Sequence, residues 1–302
     1  MENWEKINSV QRMQDYIKLH LTESITLYQL ARCAGYSPWH SAKIFKEYVG
    51  KSPFEYVRLL RLSQAALELR DNNKKVIDVA MDFVFDTHEG FTRAFRKQFG
   101  ITPQKYKNDT PPIYLFTAYP IRDHYIANQE FKKMEENSVS NNFFVQVRNF
   151  PERKLIFKRA KTATEYYQYV EETGCDVWGL LCSIKEALYE PTGMWLPENL
   201  RPEGTSSYVQ GVEVPTDYCG IVPDGFEIIT LPACQMMMFQ GEPFNDEDYE
   251  MAIGNISEVI DKYDTTLYGY EWADNDAPRF QMEPQGYRGY IEARPVRELL
   301  HD

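Results

Sequence analysis

The sequence predicts a multidomain chain: an all-α half holding two tandem helix-turn-helix units, followed by an α+β half. Three observations predict it. The first is charge. The 302-residue chain has a net charge of −12. Residues 1–108 carry 17 Lys and Arg against 12 Asp and Glu, a net +5, whereas residues 109–302 carry 16 against 33, a net −17. Only the basic half suits a polyanion. The second is periodicity. Apolar residues fall at helical spacing through residues 1–107 and in short alternating runs from 143 onward. The third is an internal repeat within the basic half.

Helices are expected at about Ile7–His20, Leu27–Ala34, Pro38–Val49, Pro53–Asn72, Val76–Phe83, Glu89–Gly100 and Pro103–Lys107. Thr26, Ser37 and Ser52 stand at N-cap positions, and Pro38 and Pro53 follow at the first helical position, where a missing N–H removes no bond. Gly50 and Gly100 sit where helices should stop. Residues 109–142 read as a linker, opened by Asn108-Asp109-Thr110-Pro111-Pro112, with some ordered structure expected around Ile113–Tyr119. In residues 143–302, strands are expected at Phe143–Phe150, Leu155–Ala160, Ser207–Val214, Phe226–Gln240, Arg279–Glu283 and Gly289–Arg294. Helical stretches at Thr164–Leu188 and Asn245–Tyr263 interrupt them. Strand, helix and strands thus occur twice, which predicts an α+β domain of two similar halves.

The repeat relates residues 31–53 to 80–103. Ala31, Gly35 and Tyr36 align with Ala80, Val84 and Phe85; Phe45, Gly50, Ser52 and Pro53 align with Phe95, Gly100, Thr102 and Pro103. The second unit carries one extra residue near Asp86-Thr87. A small alanine lets two helices approach, a glycine permits a left-handed turn, and the second helix can offer a polar face to a major groove. In the first unit Trp39, Ala42, Lys43 and Lys46 form one stripe. In the second, Glu89, Arg93 and Lys97 do so, with His88, Thr92 and Arg96 beside them and Thr87 ahead. Ile44, Phe45, Tyr48, Phe91, Ala94, Phe95 and Phe99 are expected to face inward. Lys46, Arg96 and Lys97 suit phosphates better than bases, because long basic side chains at helix ends position rather than specify. Trp39 also fits a core position, and His88 with Glu89 also fits a solvated pair. Val84 stands where the first unit has its turn glycine. A β-branched residue at positive φ is costly, so this turn is expected to be remodelled around the extra residue.

Two stretches, Leu30-Ala31-Arg32-Cys33-Ala34-Gly35-Tyr36-Ser37-Pro38-Trp39-His40 and Phe91 to Pro103 with Tyr106 beyond, resemble the AraC/XylS family of regulators, in particular its Rob-like branch. The resemblance covers about a third of the chain. It implies that residues 1–108 form a DNA-binding domain. Helix Pro53–Asn72 would then set two recognition helices about one DNA turn (~34 Å) apart, in successive major grooves. Two departures are visible. Val84 replaces the turn glycine, and Ala42 and Lys43 stand where Rob-like members look like glutamine and arginine. Ala42 can offer only an apolar contact, for instance to a thymine methyl.

Residues 143–302 resemble the effector-binding domain of gyrase-inhibitor-like (GyrI-like) proteins. Val177-Trp178-Gly179-Leu180, Trp195-Leu196-Pro197, Tyr208 to Pro215, Phe239-Gln240-Gly241-Glu242-Pro243 and Gly289 to Val296 carry that likeness. It implies two β-α-β-β repeats about a pseudo-twofold, with a ligand cleft between them. Trp178, Trp195, Tyr208, Phe239, Tyr270 and Trp272 could wall a pocket for a flat or lipophilic molecule. Glu213, Glu242, Glu271 and Glu292 sit in apolar surroundings. A carboxylate within an aromatic cage would receive an organic cation. The alternative is that the aromatics are core and the acids solvated.

No nucleophile elbow, P-loop, HExxH or metal-ligand spacing is present, so no cofactor, no metal and no enzyme activity are expected. Two other readings of the acidic half stay open: a small-molecule hydrolase using a facing glutamate and tyrosine, or a protein-binding module. Five unclustered cysteines and the absence of a leader or long apolar run point to reduced thiols in a cytoplasmic protein away from membranes. The expected partners are double-stranded DNA, a small-molecule effector and RNA polymerase.

Overall fold

The computed structural model describes residues 2–122, 142–245 and 248–299, which fall into two compact units. The first is helical: α1 (Glu2–Leu19), α2 (Leu27–Ala34), α3 (Pro38–Val49), α4 (Pro53–Asp71), α5 (Val76–Asp82), α6 (His88–Phe99) and α7 (Pro103–Asp109). Thr26, Ser37 and Ser52 cap their helices as the sequence predicts, and Thr87 and Thr102 do the same for α6 and α7. Each accepts from a backbone N–H in the first turn of the helix that follows. Gly50 and Gly100 end α3 and α6 in the left-handed region.

Each helix-turn-helix has its own apolar centre, and α4 packs against both. The first buries Val10, Met13, Leu30, Ala34, Ile44, Phe45 and Tyr56. Arg12 fixes the end of α2, donating from Nε to the Cys33 carbonyl (2.9 Å) and from Nη2 to that of Ala34 (3.1 Å). The second is an aromatic chain. Phe85 meets Phe91, Phe91 meets Phe95, and Phe95 meets both Phe99 and Tyr106, with centroids 4.7 to 5.7 Å apart.

The turn at Val84 departs from expectation. It is not rebuilt. Val84 itself takes φ +61°, as Gly35 takes +77°. One backbone bond matches, Tyr36 N–H to Ala31 O (3.2 Å) and Phe85 N–H to Ala80 O (2.9 Å), but Gly35 N–H donates to Ala31 O, four residues back, where Val84 N–H donates to Met81 O, three residues back (3.0 Å each). The extra residue is absorbed after the turn, before the Thr87 cap. The second unit therefore keeps the left-handed residue of the first with a tighter helix end, and carries the strain on a β-branched residue.

Residues 110–122, assigned from sequence to the linker, pack onto the helical unit. Ile113 and Leu115 are buried. Phe116 sits edge-on to Tyr56 (5.3 Å), and its N–H donates to Ser63 Oγ (2.7 Å). Gln14 accepts from Ile121 N–H (3.0 Å) and donates to Tyr119 O (3.0 Å). The remainder of the expected linker, 123–141, lies outside the described residues.

The second unit is an antiparallel sheet with helices. Its strands are β1 (Phe143–Phe150), β2 (Arg153–Arg159), β3 (Thr192–Trp195), β4 (Tyr208–Val214), β5 (Glu227–Leu231), β6 (Cys234–Gly241), β7 (Tyr270–Trp272), β8 (Arg279–Met282) and β9 (Ile291–Glu298). The helices are α8 (Tyr166–Thr173), α9 (Val177–Cys182) and α10 (Tyr249–Lys262). The expected helix Thr164–Leu188 is broken at Gly174, and the expected strand Phe226–Gln240 is broken at Pro232-Ala233.

The strand order is β1-β6-β9-β8-β3-β4-β2-β5, with β7 on β9. Read outward from the β8–β3 seam, both halves have the same plan. Two-residue links, Pro151-Glu152 and Pro232-Ala233, carry the chain from one end of this order to the other. Phe150 pairs with Cys234 and Arg153 with Leu231, so a two-stranded ribbon bends through both links together. A proline at each bend has no N–H to continue the ladder.

Candidate functional site

The inward faces of α3 and α6 decide what each turns outward. On α3, Ser41, Ile44 and Phe45 are fully buried. That leaves Trp39, Ala42, Lys43 and Lys46 along the opposite stripe. Trp39 is 73% exposed, which excludes the core alternative. Lys43 lies along the helix with its Nζ 5.6 Å from the Trp39 ring centroid. Ala42 is half-buried.

On α6, Phe91 and Phe95 are fully buried. His88, Glu89, Thr92, Arg93, Arg96 and Lys97 line one open groove with Thr102. Thr87 is exposed beside it but is committed to capping, accepting from Gly90 N–H at 3.0 Å. Among the described residues, no carboxylate pairs with Lys43, Lys46, Arg93, Arg96 or Lys97. An outward row of cations without anionic partners matches a phosphate backbone.

In the second unit, cross-strand partners share a face. Trp195 stands opposite both Tyr208 and Arg279, Gln281 opposite Glu292, and Glu292 opposite Phe239. Val296, four residues beyond Glu292, stands opposite Trp272, and Tyr270 lies two residues before Trp272. Six predicted residues, Trp195, Tyr208, Phe239, Tyr270, Trp272 and Glu292, therefore share one face of the sheet. Phe239 is fully buried there, packed with Trp272 and with Ile256 and Ile260 of α10.

The centre of that face is a polar network. The Arg279 guanidinium lies 3.9 Å from the Trp195 ring centroid, and its Nε is 3.4 Å from Glu292 Oε1. Arg294 Nε is 3.7 Å from the same oxygen, and the Tyr290 hydroxyl donates to Glu292 Oε2 (3.3 Å). Gln281 bonds both Tyr290 and Tyr208, at 3.0 and 3.1 Å. Trp195 is anchored through Nε1 to the Thr164 carbonyl (2.9 Å). A Cβ at Gly193 would collide with the Tyr208 hydroxyl, so glycine makes room for it. Burial raises the Tyr208 phenol, and burial beside the Glu292 carboxylate raises Tyr290 well above its ordinary value.

Four predicted residues lie elsewhere. Glu271 is exposed on β7, its Oε1 3.9 Å from Arg297 Nη1. Glu213 points to the opposite face, an odd step from Tyr208 along β4. Its carboxylate meets Arg153 Nε at 2.8 Å. Arg153 also stacks on Phe150 and donates to the Pro151 and Pro232 carbonyls, so the pair ties both ribbon bends. Burial pushes the Glu213 carboxyl up against the pull of Arg153. Glu242 is exposed past the end of β6, accepting from Asn142 (2.9 Å). Trp178 sits half-buried on α9. The expected carboxylate cage is thus met differently: Glu213 and Glu292 are both paired with the protein's own arginines.

Comparison with known proteins accords with the helical geometry. A helix-turn-helix domain family matches residues 30–109. Transcriptional regulator Rob of Salmonella typhimurium is 38% identical over 107 residues, 35% of this chain and 36% of that one. The HTH-type transcriptional activator AarP of Providencia stuartii is 36% identical over 92 residues, 30% of this chain and 68% of AarP. The chain belongs to the AraC-type helix-turn-helix family. It spans about a third of the length of the first curated relatives it matches. Among solved structures, the C-terminal domain of AraT, a response regulator from Geobacillus stearothermophilus, is 27% identical with a TM-score of 0.32, covering 33% of this chain and 84% of that one.

This AraC-type chain also holds polar residues that sequence reasoning passed over: Arg153, Arg279, Gln281, Tyr290 and Arg294. A signal for four of them was present. Arg279 and Gln281, like Tyr290, Glu292 and Arg294, alternate along otherwise apolar strands, which is the period of one sheet face. Arg153 offers no such pattern. No helix among the described residues is long and apolar enough to cross a membrane. No group of three or more metal-ligating side chains occurs among them.

Proposed function

We propose that the chain is a sequence-specific, DNA-binding transcription regulator of the cytoplasm whose acidic unit answers to a small molecule. The observation that carries the first part is the groove on α6, where Arg93, Arg96 and Lys97 face outward with no carboxylate partner among the described residues. Thr92, Arg93, His88 and Glu89 are the base-reading candidates; Lys46, Arg96 and Lys97 position the phosphates. A gel shift with the native upstream region tests this. Arg93→Ala and Lys43→Ala should each weaken binding, and unchanged affinity in both would remove the recognition helices from the account.

The effector reading rests on the sequence likeness to GyrI-like domains and is supported by the mirrored strand order about the β8–β3 seam. Trp195, Tyr208, Tyr290 and Glu292 are the pocket residues, with Arg279 over the indole. A lipophilic cation would compete with that guanidinium for Trp195 and Glu292. Thermal shift with benzyltrimethylammonium and its neutral isostere neopentylbenzene tests the class. Stabilisation by the cation alone supports it, and no shift with either counts against it.

The hydrolytic alternative requires a facing glutamate and tyrosine, and Tyr290 and Glu292 form such a pair at 3.3 Å. Arg279 and Arg294 hold that carboxylate and burial raises that phenol, which favours binding over proton transfer. Product analysis after incubation with a bound compound separates the two. RNA polymerase is the protein partner this regulator would engage from its DNA site.

A further inference from the structure

The two recognition helices turn different chemistry outward. α6 presents hydrogen-bonding groups, His88, Glu89 and Arg93. The stripe on α3 presents the indole of Trp39, 73% exposed, and the methyl of Ala42. Lys43 stands next to Ala42, and it is the residue best placed to offer base edges a charge. Its Nζ instead lies over the Trp39 ring at 5.6 Å. The methylenes of a lysine folded onto an indole extend its apolar surface. Ala42 has no polar side-chain atom and cannot discriminate bases by hydrogen bonding. In the major groove, thymine alone among the four bases carries a methyl group.

We propose that α3 reads its half-site through thymine C5-methyl groups, with Trp39 and Ala42 as the contacting surface, while α6 reads its half-site by hydrogen bonds. This rests on the DNA-binding reading above. It predicts a site of two chemically unlike halves.

The test starts from duplexes that the full chain selects out of a random library. Selection repeated with Arg93→Ala relaxes the half belonging to α6 and so identifies the half belonging to α3. Thymines are then replaced by deoxyuridine, which removes only the methyl, in one half at a time. Replacement in the α3 half should weaken binding about fourfold per contacted methyl. Replacement in the α6 half should change it less than twofold. Trp39→Ala should weaken binding to the thymine duplex and abolish the difference between the thymine and deoxyuridine duplexes. A selected α3 half-site without fixed thymines would overturn the proposal. So would deoxyuridine duplexes that bind within twofold of the parent while Arg93→Ala still weakens binding. If Arg93→Ala and Lys43→Ala both bind the selected duplex like the unmodified chain, the recognition-helix assignment itself fails.

Discussion

The recognition helices α3 and α6 turn Lys43, Lys46, Arg93, Arg96 and Lys97 outward with no carboxylate partner among the described residues, whereas the acidic unit turns Glu213 and Glu292 inward onto Arg153, Arg279 and Arg294. Net charge alone does not say where in either unit the demand for a partner lies. The −17 half looks like the receptor for a cation, yet its buried carboxylates already have cationic partners. The +5 half has only a small excess, yet that excess is concentrated on α3 and α6. What matters for a partner is which charges remain unpaired at the surface, because buried charges must be paired within the fold.

The largest expected effect breaks the inward pairing. Glu213→Ala leaves Arg153 buried and unpaired at the ribbon bends, and should lower stability by about 3–5 kcal/mol in urea unfolding of the full chain. The double variant Arg153→Met with Glu213→Leu should recover most of that loss. A Glu213→Ala loss under about 1 kcal/mol, as expected of an exposed pair, would put Glu213 back among the solvated acids.

The outward charges should behave oppositely. Arg93→Ala should leave unfolding within about 0.5 kcal/mol of the parent. Its DNA affinity at fixed salt should fall by about 1–3 kcal/mol. A variant that lost stability and binding together would make Arg93 a structural residue.

A smaller effect separates the two helix-turn-helix units. Val84 holds φ +61° where Gly35 holds +77°. Val84→Gly should raise stability by about 1 kcal/mol in the same unfolding measurement, since only the left-handed strain is relieved. Gly35→Val should lower it by a similar amount. Destabilisation by Val84→Gly would mean that the packing of the half-buried valine outweighs its backbone strain.

Local chemistry was legible and distant pairing was not. α2 and α3 begin and end at the residues the caps and glycines mark, because capping is decided within four residues of chain. The outward stripes of both recognition helices followed from the buried ones, since 3.6-residue periodicity fixes both at once. Order around Ile113–Tyr119 was expected, but the docking of residues 110–122 depends on Gln14, Tyr56 and Ser63, far upstream, and no local pattern announces those partners. The ribbon bends were hidden because Phe226–Gln240 reads as one apolar run, although Pro232 divides it between opposite ends of the strand order. Glu213 and Glu292 looked alike in sequence. Parity along β4 and the β4–β3–β8–β9 register put them on opposite faces.

The most direct test of the central claim is a hydroxyl-radical footprint of the full chain on its selected duplex, with and without Arg93→Ala. The account predicts two protected segments on one face of the DNA, about one helical turn (~34 Å) apart. The segment belonging to α6 should weaken selectively in the variant. A single protected segment, or two that weaken equally, would contradict reading by two distinct helices.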